Sequence, residues 1–233
     1  MTAMTKTALV TGASSGIGKA VSEMLVKEGY TVYGIGRCFN DTESLPGFIP
    51  LVCDLTDEKQ LKETLSRIPG KELDVLVNNA GAAYYGMHET LSPQMIRTMT
   101  EVNLTVPMIL TGYFLRDLRH NRGTVINIVS VTAVSVNTHG AAYGAVKAGL
   151  LSFSESLFAE NRKYGVRVAS ILPDMTDTAL YRNADFMPDD TEGCSLKPED
   201  TAEAVRYILS SREGTAVTSL TLRPQYHRIR RKK

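Results

Sequence analysis

A chain of 233 residues, 43% of them hydrophobic, can bury one large core and falls within the range of a single α/β domain. Its formal net charge is +1, but five positive charges lie in the last six residues, "RIRRKK" (Arg228, Arg230, Arg231, Lys232, Lys233); this leaves −4 on the rest and argues against a nucleic-acid-binding face on the folded body. Cys38, Cys53 and Cys194 form no C-x-x-C pair and have no neighbouring histidine ligands, so neither a disulfide framework nor a zinc site is suggested; with no membrane-spanning run and too short an apolar start for a signal peptide, a metal-free cytoplasmic protein is expected.

In chain order, "TALVT" (7–11) reads as a strand followed by a helix near 16–28. Strands "TVYGI" (31–35) and "FIPLV" (48–52) precede a helix near 57–66, and "LDVLV" (73–77) precedes a long helix over 92–119. "GTVINIV" (123–129), a helix over 141–164, "VRVASIL" (166–172), a helix over 198–211 and "SLTL" (219–222) complete the series. Several strands are continuous apolar runs of the kind buried on both faces. The repeated strand-helix-strand order predicts one doubly wound Rossmann-type α/β domain over 1–224, with a parallel sheet of about seven strands and helices on both faces. Residues 225–233 form a basic tail, read as a solvated end rather than a binding arm. The stretch 173–197, rich in Asp, Pro and Met, is long for a plain connection and follows a strand's carboxyl end, where open parallel sheets bind ligands; it reads as a lid or binding loop.

"LVTGASSGIGKAV" places Gly12, Gly16 and Gly18 between the first strand and the first helix, spaced G-x-x-x-G-x-G rather than G-x-G-x-x-G. Glycine permits positive φ and close backbone approach, and a helix amino end presents free N–H groups, so a pyrophosphate is the expected guest; tight packing is the plainer alternative. Strand two ends "YGIGRCF", with no acid until Asp41, where sites preferring NAD carry a carboxylate for the ribose 2′-hydroxyl. Arg37 stands there instead, either as an exposed strand-end arginine or as a bidentate holder of the 2′-phosphate of NADP. In "AAYGAVKAGL", Tyr143 and Lys147 lie one helical turn apart on one face. They are an amphipathic pair with the lysine reaching water, or a chemical pair.

With four further stretches the sequence resembles the short-chain dehydrogenase/reductase family. "TGASSGIG" resembles that family's cofactor loop, which implies cofactor-binding roles for Gly12, Ser14, Ser15, Gly16, Ile17 and Gly18. "CDLTD" matches the segment in which Asp54 and the Leu55 backbone hold adenine, and "VNNAG" places Asn79, Ala80 and Gly81 beside the adenine ribose. "VNL" supplies Asn103, "INIVS" supplies Ser130, and "YGAVK" supplies Tyr143, thirteen residues after Ser130, and Lys147. The resemblance spans roughly residues 5 to 223. Pro173, Thr176 and Thr178 fall in the segment facing the nicotinamide, with Thr178 where the family holds the carboxamide. The family's Pro-Gly is here Pro173-Asp174, and Val129 stands where Gly or Ser is common.

The resemblance implies an NADP(H)-dependent oxidoreductase that interconverts a ketone or aldehyde and an alcohol. Tyr143 would be the general acid/base, Ser130 would orient the carbonyl, and Asn103 would position a water in a proton relay. Lys147 would grip the nicotinamide ribose and, with the oxidised nicotinamide, lower the phenol's pKa by about three units, which needs roughly 4 kcal/mol. Pocket walls are expected from Ala82, Ala83, Tyr84 and Tyr85, from 131–137 with His139, and from Met175, Tyr181 and Met187; Arg182 is either a carboxylate holder or simply solvated. Ala141, Ala145, Ala148 and Gly149 give the Tyr-Lys helix a smooth flank that suits core packing, and the resemblance implies a homodimer or homotetramer across such helices. A rival reading is a catalytically silent NADP-binding regulatory protein acting through its basic tail, which gives no physical reason to keep the Asn, Ser, Tyr and Lys set.

Overall fold

Leu9 points to one side of the first strand and Ala8 and Val10 to the other, and all three are fully buried. Both faces of the sheet are therefore covered. The computed structural model describes residues 6–39, 45–69 and 73–232; Asp41 and Lys233 lie outside them. The main sheet comprises β1 (Thr7–Thr11), β2 (Thr31–Gly36), β3 (Phe48–Val52), β4 (Leu73–Asn78), β5 (Thr124–Ile128), β6 (Arg167–Pro173) and β8 (Ser219–Leu222). The strands lie in the order β3-β2-β1-β4-β5-β6-β8, every neighbouring pair parallel. Chain order reverses between β1 and β4, which opens a crevice at the carboxyl ends of these strands.

Helices α1 (Gly16–Lys27) and α6 (Pro198–Ser210) cover one face, packing on Ala8, Val10, Val32, Val77 and Ile126. The opposite face, with Leu9, Ile35, Leu76, Val125 and Val168, is covered by α2 (Glu58–Leu65), α4 (Val106–Asn121) and α5 (Ala141–Asn161). Phe114 of α4 is the largest side chain sealed into that second core. Asn127 crosses the sheet, accepting from Asn78 Nδ2 at 2.8 Å and donating to Ser154 Oγ of α5 at 2.7 Å. Among the described residues no helix is long and apolar enough to cross a membrane.

Three expectations need correction. The long helix over 92–119 is divided into α3 (Pro93–Thr100), a π-helical turn (Glu101–Thr105) and α4. Pro107 lacks the N–H that a continuous α-helix would give to the Asn103 carbonyl, and the Val106 N–H reaches back to Glu101 instead. The stretch 173–197 contains a 3-10 turn (Ala179–Asn183) and β7 (Phe186–Pro188). The tail is not a free end: its β9 (Ile229–Arg231) pairs antiparallel with β7, although its side chains stay exposed.

Replacing Phe114 with Ala removes a ring from a fully buried site and is expected to cost about 3–5 kcal/mol, read as a lower urea midpoint at unchanged m. Tyr113→Ala, next to it but 56% exposed, should cost under about 1 kcal/mol; equal losses would contradict the packing described.

Candidate active site

Thr11 closes β1 and prepares the turn after it. Its hydroxyl oxygen accepts from the N–H groups of Asn79 and Ala80, each at 3.0 Å, while Asn79 Nδ2 donates to the carbonyls of Thr11 at 2.9 Å and Gly12 at 3.3 Å. The ends of β1 and β4 are thus tied together where the strand order reverses. Gly12 and Gly16 hold φ of +66° and +52°. At Gly18 an added Cβ would lie 2.2 Å from the Gly12 carbonyl oxygen and 2.4 Å from Asn79 Nδ2, so no side chain can be accommodated. Ser15 precedes α1 in an extended conformation without capping it, and the first turn carries no acid. The opening N–H groups of α1 therefore keep their capacity for an anion.

This turn forms one end of a cavity of about 680 Å³. Ser14, Ser15, Gly16 and Ile17 line it, with Arg37 beyond the end of β2 and Asp54 and Leu55 after β3. Asp54 Oδ1 accepts from the Thr56 N–H at 2.9 Å and its hydroxyl at 2.8 Å, which fixes the carboxylate at the rim. Asn79, Ala80 and Gly81 form the floor, and Pro173, Thr176 and Thr178 come from the opposite side. Gly18 stands behind the wall rather than in it.

Tyr143 and Lys147 of α5 are each only 3% exposed, so the amphipathic reading fails: the lysine does not reach water. Its Nζ turns inward, donates to the Ile128 carbonyl at 2.8 Å and lies 5.8 Å from the centre of the Tyr143 ring. Ser130, just past β5, hydrogen-bonds the Tyr143 phenol, and its oxygen accepts from the Thr132 N–H at 3.2 Å and hydroxyl at 2.9 Å. Three chemically distinct groups thus converge at the strand ends.

Burial pushes the Lys147 ammonium down to about 7. Burial also raises the Tyr143 phenol, with Tyr181 adding to the rise and the Ser130 hydrogen bond opposing it. The expected lowering by Lys147 is therefore not present in the protein alone. A desolvated lysine that is itself losing its proton near neutrality cannot outweigh the desolvation of its neighbour.

Asn103 is completely buried in the π-helical turn. Its Nδ2 donates to the carbonyls of Ala82 and Met99, both at 2.8 Å, while Oδ1 has no hydrogen-bond partner among the described residues and would lie 3.1 Å from a Cβ on Gly81. Like Gly18, it stands behind the cavity wall.

At the other end of the cavity Tyr85 packs against Tyr143, Tyr181 and Phe186, with ring centres 5.6, 6.1 and 5.1 Å apart. Ala82, Tyr84, Met175, Arg182 and His139 also line this end, together with much of 131–137. Arg182 reaches the rim and donates to the Ala179 carbonyl at 3.3 Å. Two expected wall residues are displaced. Ala83 is sealed in a small core with Met99 and Tyr143, and Met187 lies outside the wall because alternation along β7 turns its neighbour Phe186 inward instead.

Sequence reasoning missed Phe186, Arg223, His227 and Ile229, all of which line the cavity. Arg223 pairs with Asp174 at 2.9 Å, and Asp174 Oδ1 also accepts from the Met175 N–H at 2.8 Å. The Asp in place of glycine was the available signal, but nothing in the sequence pointed to Arg223 as its partner.

The family model described as short chain dehydrogenase matches residues 6–188. A serine 3-dehydrogenase of Rhizobium radiobacter is 34% identical over 238 residues, covering 95% of this chain and 94% of that protein. The structure of an alcohol dehydrogenase from the archaeon Thermococcus sibiricus, complexed with 5-hydroxy-NADP, superposes with a TM-score of 0.84 at 28% identity, covering 96% of this chain and 98% of that one. Serine dehydrogenase from Escherichia coli gives a TM-score of 0.80 at 26% identity over 93% of this chain and 96% of its own. A family-model match over residues 6–188, with a relative 34% identical along nearly the whole chain, means that the chain belongs to the short-chain dehydrogenase family of oxidoreductases.

Proposed function

We propose that the protein is an NADP(H)-dependent oxidoreductase that interconverts a ketone or aldehyde and an alcohol by hydride transfer. The observation that carries this reading is the buried Tyr143, Lys147 and Ser130 group, set in the same cavity as an uncapped helix amino end. In this reading the α1 turn from Ser14 to Gly16 holds the pyrophosphate. Arg37 holds the 2′-phosphate, with Ser14 nearby: an added Cβ on Gly36, which precedes Arg37, would lie 3.0 Å from the Ser14 hydroxyl. Asp54 and Leu55 take the adenine, Asn79, Ala80 and Gly81 the ribose beside it, and Thr178 the carboxamide, with Pro173 and Thr176 in the segment facing the nicotinamide. A bound nicotinamide supplies or accepts the hydride.

The protein's own residues manage the proton. Tyr143 gives it to the carbonyl oxygen in reduction and takes it from the alcohol in oxidation, while Ser130 hydrogen-bonds the same oxygen. Lys147 grips the nicotinamide ribose, and those hydroxyls add partners to an ammonium that burial otherwise discourages. Asn103 holds a water in the relay; its unpartnered Oδ1, and a carbonyl from which Pro107 withholds the α-helical donor, are the acceptors available for it.

Serine, named for the R. radiobacter relative, is a β-hydroxy acid, and oxidation of such an alcohol uses the same residues as reduction of a ketone. Assembly as a homo-oligomer across α4 and α5 suits the exposed Met108, Ile109 and Tyr113 of α4. The direct test follows nicotinamide absorbance with NADP(H) or NAD(H) and a panel of ketones, aldehydes, β-keto esters and hydroxy acids including serine.

Tyr143→Phe should keep NADPH affinity and lose turnover at least 10²-fold, because positioned acid catalysis is typically worth that much; a variant retaining a tenth of the rate would overturn the proton-donor role. Arg37→Asp should lower the ratio of kcat/KM for NADPH to that for NADH by about 10–100-fold, as loss of a charge-assisted hydrogen bond implies, and an unchanged ratio would sink the phosphate assignment.

Lys147 generates a stability prediction as well. Its folded pKa of about 7 lies below the ordinary 10.5, so between those values the unfolded chain binds the extra proton and stability rises with pH. Cofactor-free protein should gain stability between about pH 7 and pH 8, by up to about 1.4 kcal/mol per pH unit, a range below the ordinary pKa values at which the unfolded chain's cysteines and tyrosines begin to lose protons; above it, Cys53, whose thiol burial raises in the folded protein, opposes the gain. Denaturation of Lys147→Met at the two pH values should show this gain abolished; parallel behaviour of variant and wild type would mean that Lys147 is not desolvated.

A further inference from the structure

The basic tail is the sequence feature that the proposed reaction leaves unused. Its strand β9 pairs with β7, setting Arg230 opposite Met187. The ribbon extends beyond both strands: Asp189 N–H donates to the Arg228 carbonyl at 3.2 Å, Lys232 N–H to the Asp185 carbonyl at 2.8 Å, and Tyr226 N–H to the Gly193 carbonyl at 2.9 Å. Lys232 Nζ reaches across to donate to the carbonyls of Tyr181 at 2.6 Å and Arg182 at 3.2 Å. Arg230 pairs with the Asp190 carboxylate. Hydrogen bonds from Thr191, and then the charges of Arg228 and Arg230, hold the Asp189 carboxyl below its usual range.

Two features give this clasp a consequence for chemistry. The segment it grips carries Tyr181 and Phe186, the rings that face Tyr85 at the Tyr143 end of the cavity. The tail also places His227 and Ile229 in the cavity wall itself. A two-stranded ribbon with three-residue strands is marginal on its own, so its pairing must be sustained by the polar and charged contacts at its ends. Those contacts are exposed and hence open to screening by salt.

We propose that residues 225–232 belong to the substrate site: Arg230 and Lys232 are positioning residues that hold the Tyr181–Phe186 segment over Tyr143, and Ile229 and His227 form the wall that the substrate meets. The catalytic consequence rests on the function proposed above; the clasp stands on its own contacts. The carbonyl compound or alcohol would be enclosed only when the tail is seated, so turnover depends on a segment remote in sequence from every motif residue.

Hydrogen exchange of the full chain, with and without NADPH, tests the clasp without relying on turnover. In Arg230→Gln/Lys232→Gln, amides of 181–190 should exchange about 3–10-fold faster than in wild type, while those of β1 and β5 keep their protection. Raising salt from about 0.05 M to about 0.5 M should speed exchange of 181–190 in wild type and leave the double variant nearly unmoved. The charge-retaining Arg230→Lys/Lys232→Arg should restore protection. Unchanged exchange in the first variant would overturn the clasp.

Steady-state rates with NADPH and ethyl acetoacetate, and with NADP and serine, then test the substrate wall. The double variant should raise KM several-fold with NADPH affinity unchanged. Ile229→Ala should shift the ratio of kcat/KM between ethyl acetoacetate and a bulkier β-keto ester, and a constant ratio would overturn the wall assignment. Absence of turnover in wild type across the whole panel would count against the proposed function and the wall together, whereas the exchange result would still decide the clasp.

Discussion

A lysine sealed away from water, with the Ile128 carbonyl at hydrogen-bond distance, is the constraint around which this molecule is arranged. Burying an ammonium is costly unless it is paired and fully hydrogen-bonded, and Lys147 has three donors to place, one of them on the Ile128 oxygen. The helix that carries it answers part of that difficulty sterically. Gly144, Ala145, Ala148 and Gly149 surround it in sequence, and a Cβ on Gly144 would come within 3.1 Å of the Thr132 carbonyl, in the segment that follows Ser130. Close approach of α5 to the end of β5 brings Lys147, Tyr143 and Ser130 together. The same desolvation raises the phenol and lowers the ammonium, so further charge and hydrogen bonds entering the cavity act on a pair whose charged forms burial disfavours.

The rest of the fold supplies rigid mounts for that group. Asn79 and Thr11 lock the strand ends at the reversal of sheet order, and the space vacated by the absent Gly18 side chain lets α1 begin directly against them. Strands buried on both faces prevent either layer of helices from shifting without breaking a core. Across the sheet, the Asn78, Asn127 and Ser154 hydrogen bonds join β4, β5 and α5, which keeps the Tyr-Lys helix in register with the strands beneath it. Position at the site thus follows from packing far from it.

Much of this was legible because it depends on local pattern. Largely apolar runs such as "LDVLV" mark strands buried on both sides, and "TGASSGIG" and "YGAVK" name their chemistry by spacing. What was not legible depends on long-range placement. "RIRRKK" reads as a solvated charge run because nothing nearby in sequence reveals that its backbone pairs with residues about forty positions earlier. Phe186 and Met187 are equally apolar, and only the pairing of β7 decides which faces the cavity. The π-helical turn was within reach of reasoning, since Pro107 sits four residues after Asn103, but helical periodicity alone passes over it. The direction of the Tyr143 shift could not be read from a nearby lysine, because it depends on how much water both groups lose.

Asp174 shows how a departure from the family's pattern can be absorbed. Glycine at this place leaves the backbone after β6 free; the carboxylate does the reverse. One oxygen accepts from the Met175 N–H and the other pairs with Arg223, just past β8, while the Asp174 N–H donates to the Leu222 carbonyl. The start of the long loop is thereby fastened to the neighbouring strand through both backbone and side chain. Farther along, Met175 and Asp177 continue the attachment through backbone bonds with Leu196. These attachments hold the loop at its base, and the part between them is the part the tail grips. Anchoring at Asp174 and clasping by β9 act in series on one segment, and together they determine where Tyr181 stands relative to Tyr143.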